Sequence, residues 1–148
     1  MKHFTVTVAA LILVASMTTV STADDRSYVR PSTPGGDGPP FSGAVRVGDT
    51  LYLSGDIGLD DNLEVPDTAA EEARLLLDSV KTTLEAAGFA MDDLVTVTVY
   101  CSDVGHYDDF NRVYRSYFTK EFPARAFVGA GTLLFGARFE LQAIAVKR

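Results

Sequence analysis

The chain has 148 residues, 47% hydrophobic and 22% charged, a balance that suits one folded domain and excludes an extended disordered protein. Its formal net charge of −7 gives no long-range attraction for phosphate backbones, so nucleic acid is excluded as the default partner. One cysteine cannot form an intrachain disulfide, and with only two histidines beside it the chain lacks the ligands of a zinc cluster.

The first residues, Met1-Lys2-His3, precede an apolar run from Phe4 to about Met17 and then Ser21-Thr22-Ala23. Charged, apolar and small-residue regions in that order are those of a secretory signal peptide, so residues 1–23 are expected to be removed near Ala23 and the protein exported, to the periplasm or beyond. The run is shorter than the ~20 apolar residues of a membrane span, and an uncleaved anchor is the alternative. The mature chain is expected to carry no membrane segment; it keeps 12 basic and 20 acidic residues, a net charge of −8. Residues 24–40 hold Pro31, Pro34, Gly35, Gly36, Gly38, Pro39 and Pro40, which predicts an irregular, flexible arm before a domain spanning residues 41–148.

Two β-rich runs, Ala44–Val47 and residues 50–54, flank Gly48-Asp49 and predict a hairpin whose second strand ends at Gly55. A polar connection over residues 56–66 leads to Thr68-Ala69-Ala70-Glu71, the spacing of a capping box. The helix it starts is expected to run to about Ala87, with Ala73, Leu76, Leu77, Val80, Leu84 and Ala87 inward and Gly88 as terminator. Leu94–Cys101 alternates valine with threonine, a strand whose apolar face is Val95, Val97, Val99 and Cys101. A second helix is predicted over residues 104–118, with Phe110, Val113, Tyr114, Tyr117 and Phe118 inward, and two C-terminal strands follow Pro123. The order β-β-α-β-α-β-β predicts an α+β fold, a mixed sheet with two helices on one face. The other face needs cover, which self-association would supply.

Each C-terminal strand carries a lone charge in an apolar setting, Arg125 in the first and Glu140 in the second. A charge taken out of water needs a partner or a ligand, so the pair, on strands expected to be adjacent, reads as a site for a small anion. Arg125 can grip a carboxylate with its two-pronged guanidinium, or form a surface ion pair. Glu140 can activate a water as general base, or pair with Arg138 or Lys147. Cys101 reads as a small buried hydrophobe before a reactive thiol, and His106 as a solvated polar residue before an acid or base. Ser54 lies outside any nucleophile elbow; it and Asn111 can hydrogen-bond a ligand or the fold itself.

These residues fall in a recognisable order: Gly43-Ala44-Val45-Arg46-Val47-Gly48-Asp49-Thr50-Leu51-Tyr52-Leu53-Ser54-Gly55, Asp93-Leu94-Val95-Thr96-Val97-Thr98-Val99-Tyr100, Phe110-Asn111, Phe122-Pro123-Ala124-Arg125 and Glu140-Leu141-Gln142-Ala143-Ile144-Ala145. Together they resemble the RidA (YjgF/YER057c/UK114) family over nearly the whole mature domain. The resemblance implies a chorismate-mutase-like fold, a homotrimer with ligand clefts between subunits, and hydrolysis of reactive enamines and imines to 2-keto acids and ammonia without metal or cofactor. It implies that Arg125 holds the substrate carboxylate, that Glu140 positions the attacking water, and that the backbone around Phe127 receives the substrate nitrogen. It places Phe41, Ser54, Gly55 and Asn111 on the cleft walls, some from the neighbouring subunit. Phe41 stands where tyrosine is common, Leu134 and Phe135 where a Pro-containing turn is usual, Gln142 where a second glutamate is frequent, and Phe127 where cysteine is common. The principal expectation is a deaminase acting on small imino acids. The alternative is a non-catalytic exported module that binds small carboxylate or carbonyl ligands in the same clefts. A ribonuclease or chaperone-like protein is the third reading, against which the acidity and the absence of a His/Lys constellation both argue.

Overall fold

The computed structural model describes residues 25–30 and 38–147; the expected signal peptide and the centre of the Pro/Gly-rich arm lie outside the described residues. The chain forms β1 (Arg26–Val29), β2 (Ala44–Val47), β3 (Thr50–Ile57), α1 (Ala69–Ala86), β4 (Leu94–Cys101), α2 (Tyr107–Tyr114), β5 (Ala124–Gly129) and β6 (Phe139–Val146). Six strands make one sheet in the order β1-β2-β3-β6-β4-β5. All neighbours run antiparallel except β4 and β5, which are parallel because α2 carries the chain back between them.

Both helices cover the same face. Leu76, Leu77, Val80 and Leu84 of α1 and Phe110 and Tyr114 of α2 are buried with Leu51, Leu53, Val97, Val99, Phe139 and Leu141 of the strands. Thr68 accepts a hydrogen bond from the Glu71 amide at the start of α1, so the expected cap forms, and Gly88 follows the helix at φ +79. The opposite face carries Tyr52, Thr96, Thr98, Gln142 and Ile144 around a shallow cavity of about 170 Å³. Among the described residues no helix is long and apolar enough to cross a membrane.

Several expectations are corrected. Part of the arm is ordered as β1, whose Val29 pairs with Ala44 at the sheet edge; a four-residue strand needs only a partner edge, not an apolar run of its own. The second strand does not end at Gly55. It passes through a bulge between Leu53 and Asp56 and continues to Ile57. In β4 a register shift between Leu94 and Thr96 turns Val95 outward, 46% exposed, so the apolar face is Leu94, Val97, Val99 and Cys101. The second helix is α-helical only over Tyr107–Tyr114, with single 3-10 turns at Val104–His106 and Arg115–Tyr117 on either side. Lastly, β5 and β6 are not neighbours, because β4 runs between them.

The apolar face of α1 also contains Glu72, whose side chain is fully buried. Its Oε1 accepts from the Arg138 amide at 2.6 Å and the Phe139 amide at 3.0 Å, and its Oε2 from Arg138 Nη1 at 2.8 Å. Arg138 also donates to the carbonyls of Pro66 and Asp67. Gly58 lies so close to the Glu72 backbone that any Cβ there would collide with the helix. Removing the carboxylate with Glu72→Ala leaves the Arg138 guanidinium without its counter-charge and the Arg138 and Phe139 amides without their acceptor, so chemical denaturation is expected to show a loss of about 3 kcal/mol.

Candidate active site

Arg125 and Phe127 alternate along β5 in register with Val97 and Val99 of β4, both buried in the core, so their side chains lie on the helix side of the sheet. There the Arg125 guanidinium is walled by aromatic rings. Its carbon lies 4.5 Å from the Tyr114 ring centre, 5.8 Å from Phe110 and Phe127 and 5.9 Å from Tyr107. Nη2 donates to Asn111 Oδ1 at 2.6 Å, a neutral partner, and Arg125 forms no salt bridge among the described residues. Nη1 and the Tyr114 hydroxyl are both buried and unpartnered among the described residues. Asn111, Tyr114, Arg115, Phe122, Pro123 and Arg125 line a cavity of about 200 Å³, a lining without an acidic side chain. Burial pushes the Tyr114 hydroxyl up to about 12, against the pull of Arg125, so it remains protonated near neutral pH.

Glu140 lies on the other side. Phe139, Leu141, Ala143 and Ala145 of β6 are buried under the helices, and Glu140 alternates with them toward the uncovered face. The β3 bulge brings Gly55 directly beneath its carboxylate, and a Cβ at Gly55 would overlap Glu140 Oε1. The cations expected as its ordinary partners are engaged elsewhere, Arg138 with Glu72 and Lys147 with Asp93. Phe41, Ser54 and Gly55 line a cavity of about 360 Å³ beside Asp56. Ser54 Oγ donates to the Ser42 carbonyl at 2.6 Å and its amide to the Gly43 carbonyl at 2.9 Å, which clips the Phe41 segment to the bulge. Asp56 faces α1, and burial raises its pKa while a hydrogen bond with Ser79 opposes the rise.

The structure thus brings Arg125, Asn111 and Phe127 together, and separately sets Gly55 against Glu140, while Phe41 and Ser54 join Gly55 in a neighbouring cavity walled by Leu75, Ser79, Val80 and Thr83 of α1. Within one chain Arg125 and Glu140 lie on opposite faces of the sheet, which corrects the expectation of an adjacent Arg–Glu pair. Cys101 is fully buried with its thiol raised by burial, as the small-hydrophobe reading expects. His106 is partly buried with its ring edge-on to Phe139 at 6.2 Å, rather than solvated. Two residues escape sequence reasoning. Glu72 is a charge at an inward helical position, one turn before Leu76, and that mismatch is its signal. Tyr114 reads as core, yet with Tyr107 and Asn111 it lies on the helical face that meets Arg125, a polar-aromatic run that marks a lining.

The family described as Endoribonuclease L-PSP matches residues 36–147. The chain belongs to the RidA family. Among curated relatives, the bovine protein named 2-iminobutanoate/2-iminopropanoate deaminase (Bos taurus) is 40% identical over 110 residues, covering 73% of this chain and 80% of that protein. The human protein of the same name (Homo sapiens) is 38% identical over 116 residues, covering 77% and 84%. The solved YjgF gene product of E. coli superposes with a TM-score of 0.72 at 35% identity, over 80% of this chain and 94% of that one. E. coli TdcF, solved with bound serine, gives 0.74 at 29% identity, over 82% and 100%. These likenesses bear out the RidA-type α+β fold and place the chain among imine and enamine deaminases at family level.

The close fit of Gly55 under Glu140 makes a direct prediction. Gly55→Ala is expected to push the carboxylate off the bulge and lower kcat by about tenfold or more, with the unfolding temperature little changed because only a side-chain end must move. Steady-state kinetics beside thermal unfolding check it.

Proposed function

We propose that this RidA-family protein hydrolyses small 2-imino acids and their enamine tautomers to 2-keto acids and ammonia, in clefts formed between copies of the chain. The observation that carries this reading is Arg125: a guanidinium of a cavity-lining residue held by rings and one neutral acceptor, with no carboxylate partner among the described residues and a buried, unpartnered Nη1. Such a cation is arranged to take a carboxylate from outside the chain.

With the carboxylate held there, the imine carbon is already electrophilic and needs orientation, a positioned water and proton transfer. Glu140 takes a proton from the water as its oxygen adds to the carbon and the C=N π electrons pass to nitrogen. It then returns that proton to the nitrogen, giving a carbinolamine; the hydroxyl proton passes to the nitrogen, relayed by Glu140, as the C=O bond forms and the C–N bond breaks, and ammonia leaves with the keto acid behind. In this reading the Phe127 backbone accepts from the substrate nitrogen, the role that the family resemblance implies for it. No metal or cofactor enters these steps.

Because Arg125 and Glu140 lie on opposite faces of one sheet, the Glu140 half-site of a second copy completes the cleft, and a homotrimer is the assembly the family resemblance implies. Such an assembly also covers the open face of Tyr52, Thr96, Thr98 and Gln142. Arg125→Ala is expected to abolish most keto-acid release from imino acid generated by an amino-acid oxidase, and Glu140→Gln to lower it by about 10²–10⁴-fold. Chains carrying the two changes, co-assembled, should regain roughly a quarter of wild-type activity, since random pairing restores that share of mixed clefts. No recovery in mixed assemblies would refute the shared site, and binding without turnover by the wild type would refute the hydrolase.

The amino-terminal pattern supports export of the mature chain. Sequencing the protein recovered from a periplasmic extract or the medium should give a new terminus near residue 24; a chain retained inside the cell with its first residues intact would overturn this.

A further inference from the structure

We propose that the Tyr114 hydroxyl is a second donor to the substrate carboxylate, working beside Arg125 Nη1; this rests on the imino-acid reading of the site. Tyr114 and Arg125 line the same cavity, and a polar atom of each, Tyr114 Oη and Arg125 Nη1, is buried without a hydrogen-bond partner among the described residues. A buried donor left unmade carries its full desolvation penalty, and native proteins rarely tolerate one, still less two side by side. The two residues are in contact, with the Arg125 guanidinium carbon 4.5 Å from the Tyr114 ring centre. Arg125 cannot take the hydroxyl hydrogen, because a guanidinium has no acceptor, and Nη1 does not donate to the hydroxyl oxygen either, since both atoms are without a partner among the described residues.

What both lack is an acceptor, and the cavity lining offers no acidic group to supply it. A carboxylate has two oxygens and about four acceptor sites. Asn111 already takes one hydrogen of Nη2, which leaves the Arg125 fork only partly available. One carboxylate oxygen on Nη1 and the other on the Tyr114 hydroxyl therefore satisfies both donors of the lining that the fold leaves open. Burial suits Tyr114 to this role by holding its hydroxyl in the donating, protonated form. Its ring is fixed by stacking on Phe110 at 5.6 Å. Phe122, a half-exposed ring that stacks on Tyr114 at 6.3 Å, lines the same cavity.

The test is Tyr114→Phe, which keeps the ring and removes the one oxygen. Binding of 2-oxobutanoate to the assembled full-length protein, measured by calorimetry, is expected to weaken about tenfold, the cost of a hydrogen bond to a charged group. KM for 2-iminobutanoate should rise with kcat little changed, and the unliganded variant should unfold no earlier than wild type, because an unpaired hydroxyl has been deleted. An earlier unfolding would contradict the unpartnered hydroxyl on which the proposal stands. If Tyr114→Phe binds 2-oxobutanoate as wild type does while Arg125→Ala does not bind, Tyr114 is no donor and the imino-acid reading survives. If the wild type neither binds 2-oxobutanoate nor turns over 2-iminobutanoate, the reading and the proposal fall together.

Discussion

Glu72 ties the first turn of α1 to the first residues of β6, and the placement of the Glu140 half-site depends on that tie. A carboxylate with no exposure is tolerated only because it accepts from three donors, two of them strand amides at the point where β6 begins. It therefore acts as both an ion-pair partner and a strand-end cap. Arg138 extends the link to the carbonyls of Pro66 and Asp67, which lead into α1. Glu140 lies two residues beyond Arg138, so the register of its carboxylate over the β3 bulge follows from where this network starts the strand.

The two charges of the proposed site follow the opposite rule. Glu72 and Arg138 neutralise one another, whereas Arg125 is surrounded by rings and an amide and Glu140 lies across a glycine. Neither has an ionic partner among the described residues of its own chain. Opposite charges on two faces of one sheet cannot meet inside a monomer, since a pleated strand sends neighbouring side chains to opposite sides and β4 separates β5 from β6. That separation is what makes the proposed cleft a property of the assembly. The same alternation leaves the uncovered face of the sheet available for contact between copies.

Much of the fold was legible from local pattern. The Gly48-Asp49 hairpin, the Thr68 cap, the span of α1 and the bounds of β4 follow from turn chemistry, capping and periodicity, all of which act over a few residues. What local pattern missed were interruptions and partnerships. The bulges at Ser54-Gly55 and Val95 insert one residue without changing composition, so alternation alone carries through them incorrectly. Strand β1 has only its pairing with β2 to define it. Tyr114 looked like core because a buried aromatic is usually core, and only the unpaired state of its hydroxyl separates the two roles.

The residues by themselves determined that this is one acidic α+β domain with an arginine and a glutamate to account for, and their order along the chain was enough to suggest the family. Tertiary structure decided which strands are neighbours and which face each charge occupies. Those are long-range facts: side chains far apart in sequence meet only when strand order, register and bulges are all set, and no short window contains them. Arg125 therefore became a caged cation without an ionic partner and Glu140 a carboxylate resting on Gly55 only in the folded sheet, where pairing places them on opposite sides.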